Sequence, residues 1–153
     1  MHMNRAWIEA RIPHKGRMCL LDEVIAWNAQ HIRCSTGTHR ALDNPLRSHD
    51  RLGIACGIEY AAQAMALHGA LATAAAGAGA GAASRVGLLA SVRDVRLHVS
   101  RLDDIESDLL CEVTHVAGDN LTALYEFALR DKDRSLLAGR ASVVLDAGRR
   151  LRL

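Results

Sequence analysis

Glu59 and Gln63 stand four residues apart near the start of a long run of strong helix formers, residues 54–76, in which Glu59 is the only acidic residue. Four residues are about one helical turn, so the two side chains share a face. A carboxyl beside an amide suits proton transfer, with the amide fixing the carboxyl's orientation. The plain alternative is a first-turn carboxylate that stabilises the helix dipole by less than about 1 kcal/mol. Two histidines belong to the same question. His49 lies in a polar loop between Ser48 and Asp50-Arg51, where an imidazole serves either as a base or as an ordinary surface side chain. His14 lies in Pro13-His14-Lys15-Gly16, which reads as a turn. Backbone N–H groups around Gly53 and Gly57, where the helix begins, favour negative charge developing on a bound oxygen.

The other reactive residues make no constellation. His68 falls about 180° around the helix from Glu59 and reads as a core side chain. His31, His39, His98 and His115 have no ligand pairing, and Cys19, Cys34, Cys56 and Cys111 lack CxxC or metal-like spacing. No metal site and no cofactor are expected. Four unpatterned cysteines read as reduced thiols of a cytoplasmic protein. The GAGAG stretch at 77–81 follows a helix and precedes strand-like sequence, the reverse of a dinucleotide-binding loop.

The elements that must position these groups are legible as periods. Residues 18–29 read as a first strand, with Asp22-Glu23 as a polar interruption, and residues 31–38 as a second, closing a hairpin. Residues 40–51, with Asn44-Pro45, read as a loop. The helix at 54–76 is apolar nearly all round, so it must be covered on most sides. Residues 60–84 carry no Asp, Glu, Lys or Arg, but Ala and Gly dominate and the strongly inserting residues are scarce. This is a core helix and not a membrane span. The Gly-rich residues 77–84 predict a mobile loop. From Leu89 onward the period is two, in four runs around Val95–Leu97–Val99, Leu109–Cys111–Val113, Leu121–Leu129 and Leu137–Leu145, which read as an antiparallel meander. The arginine-rich tail from 148 reads as frayed.

Residues 1–153 make one domain, with 50% hydrophobic and 24% charged residues. A net charge of +2 and five aromatic side chains give no platform for nucleic acid. The start of the chain has no apolar stretch of signal-peptide length. Two strands, one buried helix and four strands form an α+β architecture, a curved antiparallel sheet wrapped around the helix.

That order, with these residues, resembles the hot-dog fold, and most closely the 3-hydroxyacyl-[acyl-carrier-protein] dehydratases. Ile12-Pro13-His14 and Leu20-Leu21-Asp22-Glu23-Val24 are similar to that family's Leu-Pro-His lead-in and first strand. Gly57-Ile58-Glu59-Tyr60-Ala61-Ala62-Gln63 has its helix pattern, and residues 95–104 and 139–143 look like its third and last strands. With Asn44-Pro45-Leu46, the flavour is that of the divergent dehydratase-like proteins of aryl-polyene-type gene clusters. The family's Gly-His-Phe-Pro-Gly loop is absent; His49 is the only histidine in the corresponding segment, ten residues before Glu59 (59 − 49).

The resemblance implies dehydration of a 3-hydroxyacyl thioester, on acyl-carrier protein or coenzyme A, to the 2-enoyl thioester. His49 would be the base, Glu59 the acid, and Gly53, Gly57, Gln63 and His14 would serve substrate binding. In related enzymes the His and the Glu come from different subunits, so it also implies a homodimer, or a heterodimer with another hot-dog subunit. Arg85, Arg93, Arg96 and Arg101 read as a solvated face that also suits an acidic carrier protein. Two other functions fit the same sequence: an acyl thioesterase of this fold, and a non-catalytic hot-dog subunit that pairs with an active dehydratase.

Overall fold

The computed structural model describes residues 2–77 and 87–145. The residues expected to form a mobile loop lie outside this range except for Gly77, and the tail from 148 lies wholly outside it.

A short helix, α1 (Arg5–Glu9), opens the chain, capped by the Asn4 side chain, which accepts from Trp7 N–H at 3.1 Å. A 3-10 turn follows at Gly16–Met18, then β1 (Glu23–Trp27) and β2 (His31–Thr36). The central helix enters as a 3-10 turn, Ile54–Cys56, and becomes α-helical as α2 (Gly57–Ala75). Then come β3 (Leu88–Leu97), β4 (Leu109–Gly118), β5 (Thr122–Asp131) and β6 (Arg134–Val144). The six strands form one antiparallel sheet in the order β1-β2-β4-β5-β6-β3. The α+β hot-dog architecture is as the strand periods and the resemblance imply.

Two expectations need correction. The expected first strand at 18–29 shrinks to five residues, because side chains take the backbone groups a neighbouring strand would have used. Leu20 N–H donates to Gln63 Oε1 at 2.9 Å, and Leu20 C=O accepts from Thr36 and Thr38 hydroxyls. The four-strand meander is a three-strand meander, β4-β5-β6, while β3 pairs with β6 at the far edge. The link between β3 and β4 is not a tight turn. It buries Leu102 and Ile105 and carries the chain across the end of the sheet.

One side of α2 packs on the sheet through Tyr60, Ala61, Ala64, Leu67, His68 and Leu71. Gly57 lets the helix approach closely, since a Cβ there would lie 2.8 Å from Leu137 Cδ2 and 3.0 Å from Leu129 Cδ2. The opposite side, with Glu59, Ala62, Ala66, Gly69 and Ala70, is only partly buried. Among the described residues no helix is long and apolar enough to cross a membrane.

Candidate active site

The residues that meet at the head of α2 come from two distant stretches. Glu59 lies in the first turn of the helix. His14 lies on the segment between α1 and the 3-10 turn, and its Nε2 is 3.2 Å from Glu59 Oε1 within the same chain. Both side chains are part-exposed, at 27% and 37%.

The His14 segment is held tightly. Ile12 is buried beneath it. Gly16 adopts φ +59°, a left-handed turn that glycine allows without Cβ strain. Gly16 N–H donates to Glu9 Oε1 at 2.9 Å, and Gly16 C=O accepts from Arg5 at 2.8 Å. Arg5 also pairs with Asp22 at 3.2 Å, and Lys15 donates to Ile12 C=O at 2.9 Å.

Gln63 joins this segment to the helix. Its Nε2 donates to Met18 C=O at 2.7 Å, while Leu20 N–H donates to its Oε1 at 2.9 Å. The same Nε2 lies 3.5 Å from Glu59 Oε1, a long contact. Gln63 is fully buried, so both ends of its amide are satisfied by protein.

His49 is placed elsewhere. Ser48 and Arg51 pair their backbones in both directions, at 2.9 and 3.1 Å, around a two-residue turn. His49 (φ 53°) and Asp50 (φ 61°) occupy the turn's tip, both left-handed and both exposed. Among the described residues the His49 ring meets Ser48 Oγ, 2.9 Å from Nδ1. Within one chain, then, the structure brings His14, Glu59 and Gln63 together, and leaves His49 on the surface.

The helix start is partly occupied. Ile54 N–H donates to Ser100 C=O and Cys56 N–H to Gly53 C=O. Gly53 forms an isolated bridge with Arg101, and Gly57 is turned to the sheet. The loop before the helix is anchored by Asp103, which accepts from Leu52 N–H at 2.8 Å and from Arg101 Nε at 3.0 Å. The Arg101 guanidinium holds the Asp103 carboxyl well below the usual carboxylate range.

A second polar cluster is internal. His68 Nε2 lies 3.0 Å from Asn28 C=O and its Nδ1 3.1 Å from the Tyr125 hydroxyl. A carbonyl only accepts, so Nε2 carries the proton and Nδ1 accepts from Tyr125. Burial holds His68 below its ordinary value and pushes Tyr125 up to about 12. His68 is a satisfied core histidine, as its position opposite Glu59 suggests.

No group of three or more metal-ligating side chains occurs among the described residues. Two surface grooves, of about 210 and 490 Å³, lie on the sheet face turned away from α2, lined in common by Asp94, Glu126 and Arg140. Neither touches Glu59.

Sequence reasoning sets His14 in the site, for substrate binding and as the base next in line after His49, but does not place it against Glu59. The signal was present in Ile12-Pro13-His14, similar to the family's Leu-Pro-His, but nothing local says where the segment docks.

A structure of the dehydratase heterocomplex ApeI:P from Xenorhabdus doucetiae superposes with a TM-score of 0.77 at 22% identity, covering 90% of each chain. A putative thioesterase from Syntrophus aciditrophicus gives 0.58 at 15% identity over 92% of each chain. A hypothetical thioesterase with coenzyme A from Streptococcus pneumoniae gives 0.57 at 10% identity, over 80% of this chain and 84% of that one. No curated protein matches the sequence. The model of the ApeP-like family, described as ApeP dehydratase, matches residues 6–148. The chain therefore belongs to the ApeP-like family of hot-dog dehydratases.

Proposed function

We propose that this protein dehydrates 3-hydroxyacyl thioesters carried on acyl-carrier protein to 2-enoyl thioesters, and that the His14–Glu59 pair does the proton transfer. The observation that carries the site assignment is the 3.2 Å approach of His14 Nε2 to Glu59 Oε1. Removing a weakly acidic proton beside a thioester carbonyl and expelling hydroxide requires groups that accept and deliver a proton at one place. A carboxyl and an imidazole in contact, buttressed by a buried amide, meet that requirement. Gln63 orients the pair, and His49 has no part in the chemistry of its own chain.

The substrate lies along the part-exposed side of α2. Glu59, Ala62 and Ala66 would form one wall of an acyl tunnel, and a second subunit the other. Two observations support a paired assembly. β3 is a sheet edge whose Leu88, Leu89, Val95 and Leu97 are all exposed, and natural proteins cover such edges. The related ApeI:P dehydratase is a heterocomplex. The partner is therefore a second hot-dog subunit or a second copy of this chain. The four free thiols support a cytoplasmic location.

The test is interconversion of 3-hydroxyacyl and 2-enoyl thioesters on carrier protein and on coenzyme A, followed by mass, with free thiol release measured in parallel. Turnover without thiol release supports the dehydratase. Thiol release alone overturns it in favour of hydrolysis, and turnover that survives both His14→Ala and Glu59→Gln overturns the site.

A further inference from the structure

The two nitrogens of the His14 ring sit in unlike settings. Nε2 faces Glu59 Oε1 at 3.2 Å. Nδ1 is buried and has no hydrogen-bond partner among the described residues. A neutral imidazole places its one proton on one of them. On Nε2, the proton makes a charge-assisted bond to the Glu59 carboxylate. On Nδ1, it becomes a buried donor without an acceptor, at a cost of about 1–3 kcal/mol, and turns two lone pairs toward each other at the Glu59 contact. The imidazolium carries the same orphan donor. A protonated Glu59 donating to a bare Nε2 also requires the proton on Nδ1. Of these states, only neutral His14 with its proton on Nε2, beside an ionised Glu59, leaves no N–H of the ring unpaired, with a bare lone pair at Nδ1 and a charge-assisted bond at the Glu59 contact.

From this geometry we infer that Glu59 is the base and carries the proton, while His14 is a hydrogen-bond donor that positions it and does not itself abstract the proton. The inference rests on the dehydratase reading and inverts the roles that the resemblance implies for a histidine and a carboxyl. The step balances on one carboxylate. Glu59 takes the proton from the carbon beside the thioester carbonyl, and the C–H electron pair becomes the new carbon–carbon double bond. The bond from the adjacent carbon to the hydroxyl breaks with its pair on oxygen. Glu59 returns the proton to that oxygen, water leaves, and the carboxylate is restored. Through the cycle the Nε2–H of His14 and the more distant Gln63 Nε2 stay on Oε1, and Oε2 is the oxygen that faces substrate. The arrangement uses a neutral histidine as a hydrogen-bond donor, a role known in other enzymes.

The first arm of the test is independent of turnover. Long-range proton–nitrogen correlation spectra of the 15N-labelled full chain at neutral pH should show His14 protonated at Nε2 and bare at Nδ1. A proton on Nδ1, alone or in an imidazolium, overturns the assignment. The second arm separates donor from base. His14→Gln keeps an N–H donor but cannot act as a base, so it should stay within about tenfold of wild type, whereas His14→Ala loses roughly 10²-fold. Glu59→Gln should lose roughly 10²-fold or more. If His14→Gln, folded by circular dichroism, falls as far as Glu59→Gln, the histidine is the base and the inference is wrong. If the wild-type protein dehydrates nothing, the dehydratase reading fails by itself, while the spectra still decide the state of the pair.

Discussion

Gln63 and Leu20 are joined by a buried hydrogen bond of 2.9 Å that does the work of a strand pairing. It ends the extended run at 19–22 against a helix, and so turns the preceding segment, with His14, toward the head of α2. The same amide donates to Met18 C=O at 2.7 Å. Fold and site meet in this one side chain.

Gln63→Leu should therefore injure both. It leaves the buried Leu20 N–H without a partner, at about 1–3 kcal/mol, and takes the donor from Met18 C=O on a part-exposed residue, where water can replace it. Urea unfolding should show a loss of about 1–3 kcal/mol. In the remaining folded protein kcat should fall more than KM changes, because the orientation of the pair is lost and not the binding surface. Wild-type stability in Gln63→Leu would contradict the contacts.

Asp103 gives an acid-side signature. Arg101 and the Leu52 N–H lower its folded pKa below the unfolded value of about 3.9. The sign follows: this contribution is complete above the unfolded value and is lost as pH falls from about 4 toward the folded one. Asp103→Asn should be less stable at neutral pH and should lack this part of the acid-induced loss. Thermal melts between pH 6 and pH 2.5 measure it.

His68 and His39 act at milder pH. Burial lowers both in the folded state, so the unfolded chain binds protons first as pH falls below about 6.5. Stability should thus be present above that value and decline through pH 6 to 5. His68→Gln should reduce the slope and leave the His39 share. Groups facing His68 include His31, His115 and Tyr125, with Glu112 paired to His31 at 3.8 Å. Tyr125→Phe removes the donor to His68 Nδ1 and should cost about 1 kcal/mol. A flat profile for the wild type would refute the buried-neutral account.

The β3 edge should govern assembly. Leu89→Asp with Leu97→Asp places two charges on a strand whose side chains are already 40% and 51% exposed in the lone chain. Folding should survive, since little buried surface changes. Light scattering should show the mass falling toward that of one chain. Unchanged assembly would place the interface elsewhere.

The sequence by itself determined the elements. Alternating residues in β4, β5 and β6 meet a sheet with one face on a helix, and an Ala-rich run with one carboxyl makes α2. Each is a local pattern, in which neighbours three, four or two positions apart decide which face is buried. Glu59 and Gln63 were readable for the same reason, since one helical turn sets their relation. Tertiary structure decided the rest. That β3 pairs with β6 depends on where the chain re-enters after the helix and on a buried link through Leu102 and Ile105. That residues 19–22 are not strand depends on Gln63, Thr36 and Thr38 taking the polar groups of Leu20. That His14, and not His49, lies against Glu59 depends on a segment held by Arg5 and Glu9 of α1 and by Gln63 of α2. Such contacts are made between residues distant in sequence, and no local period encodes them.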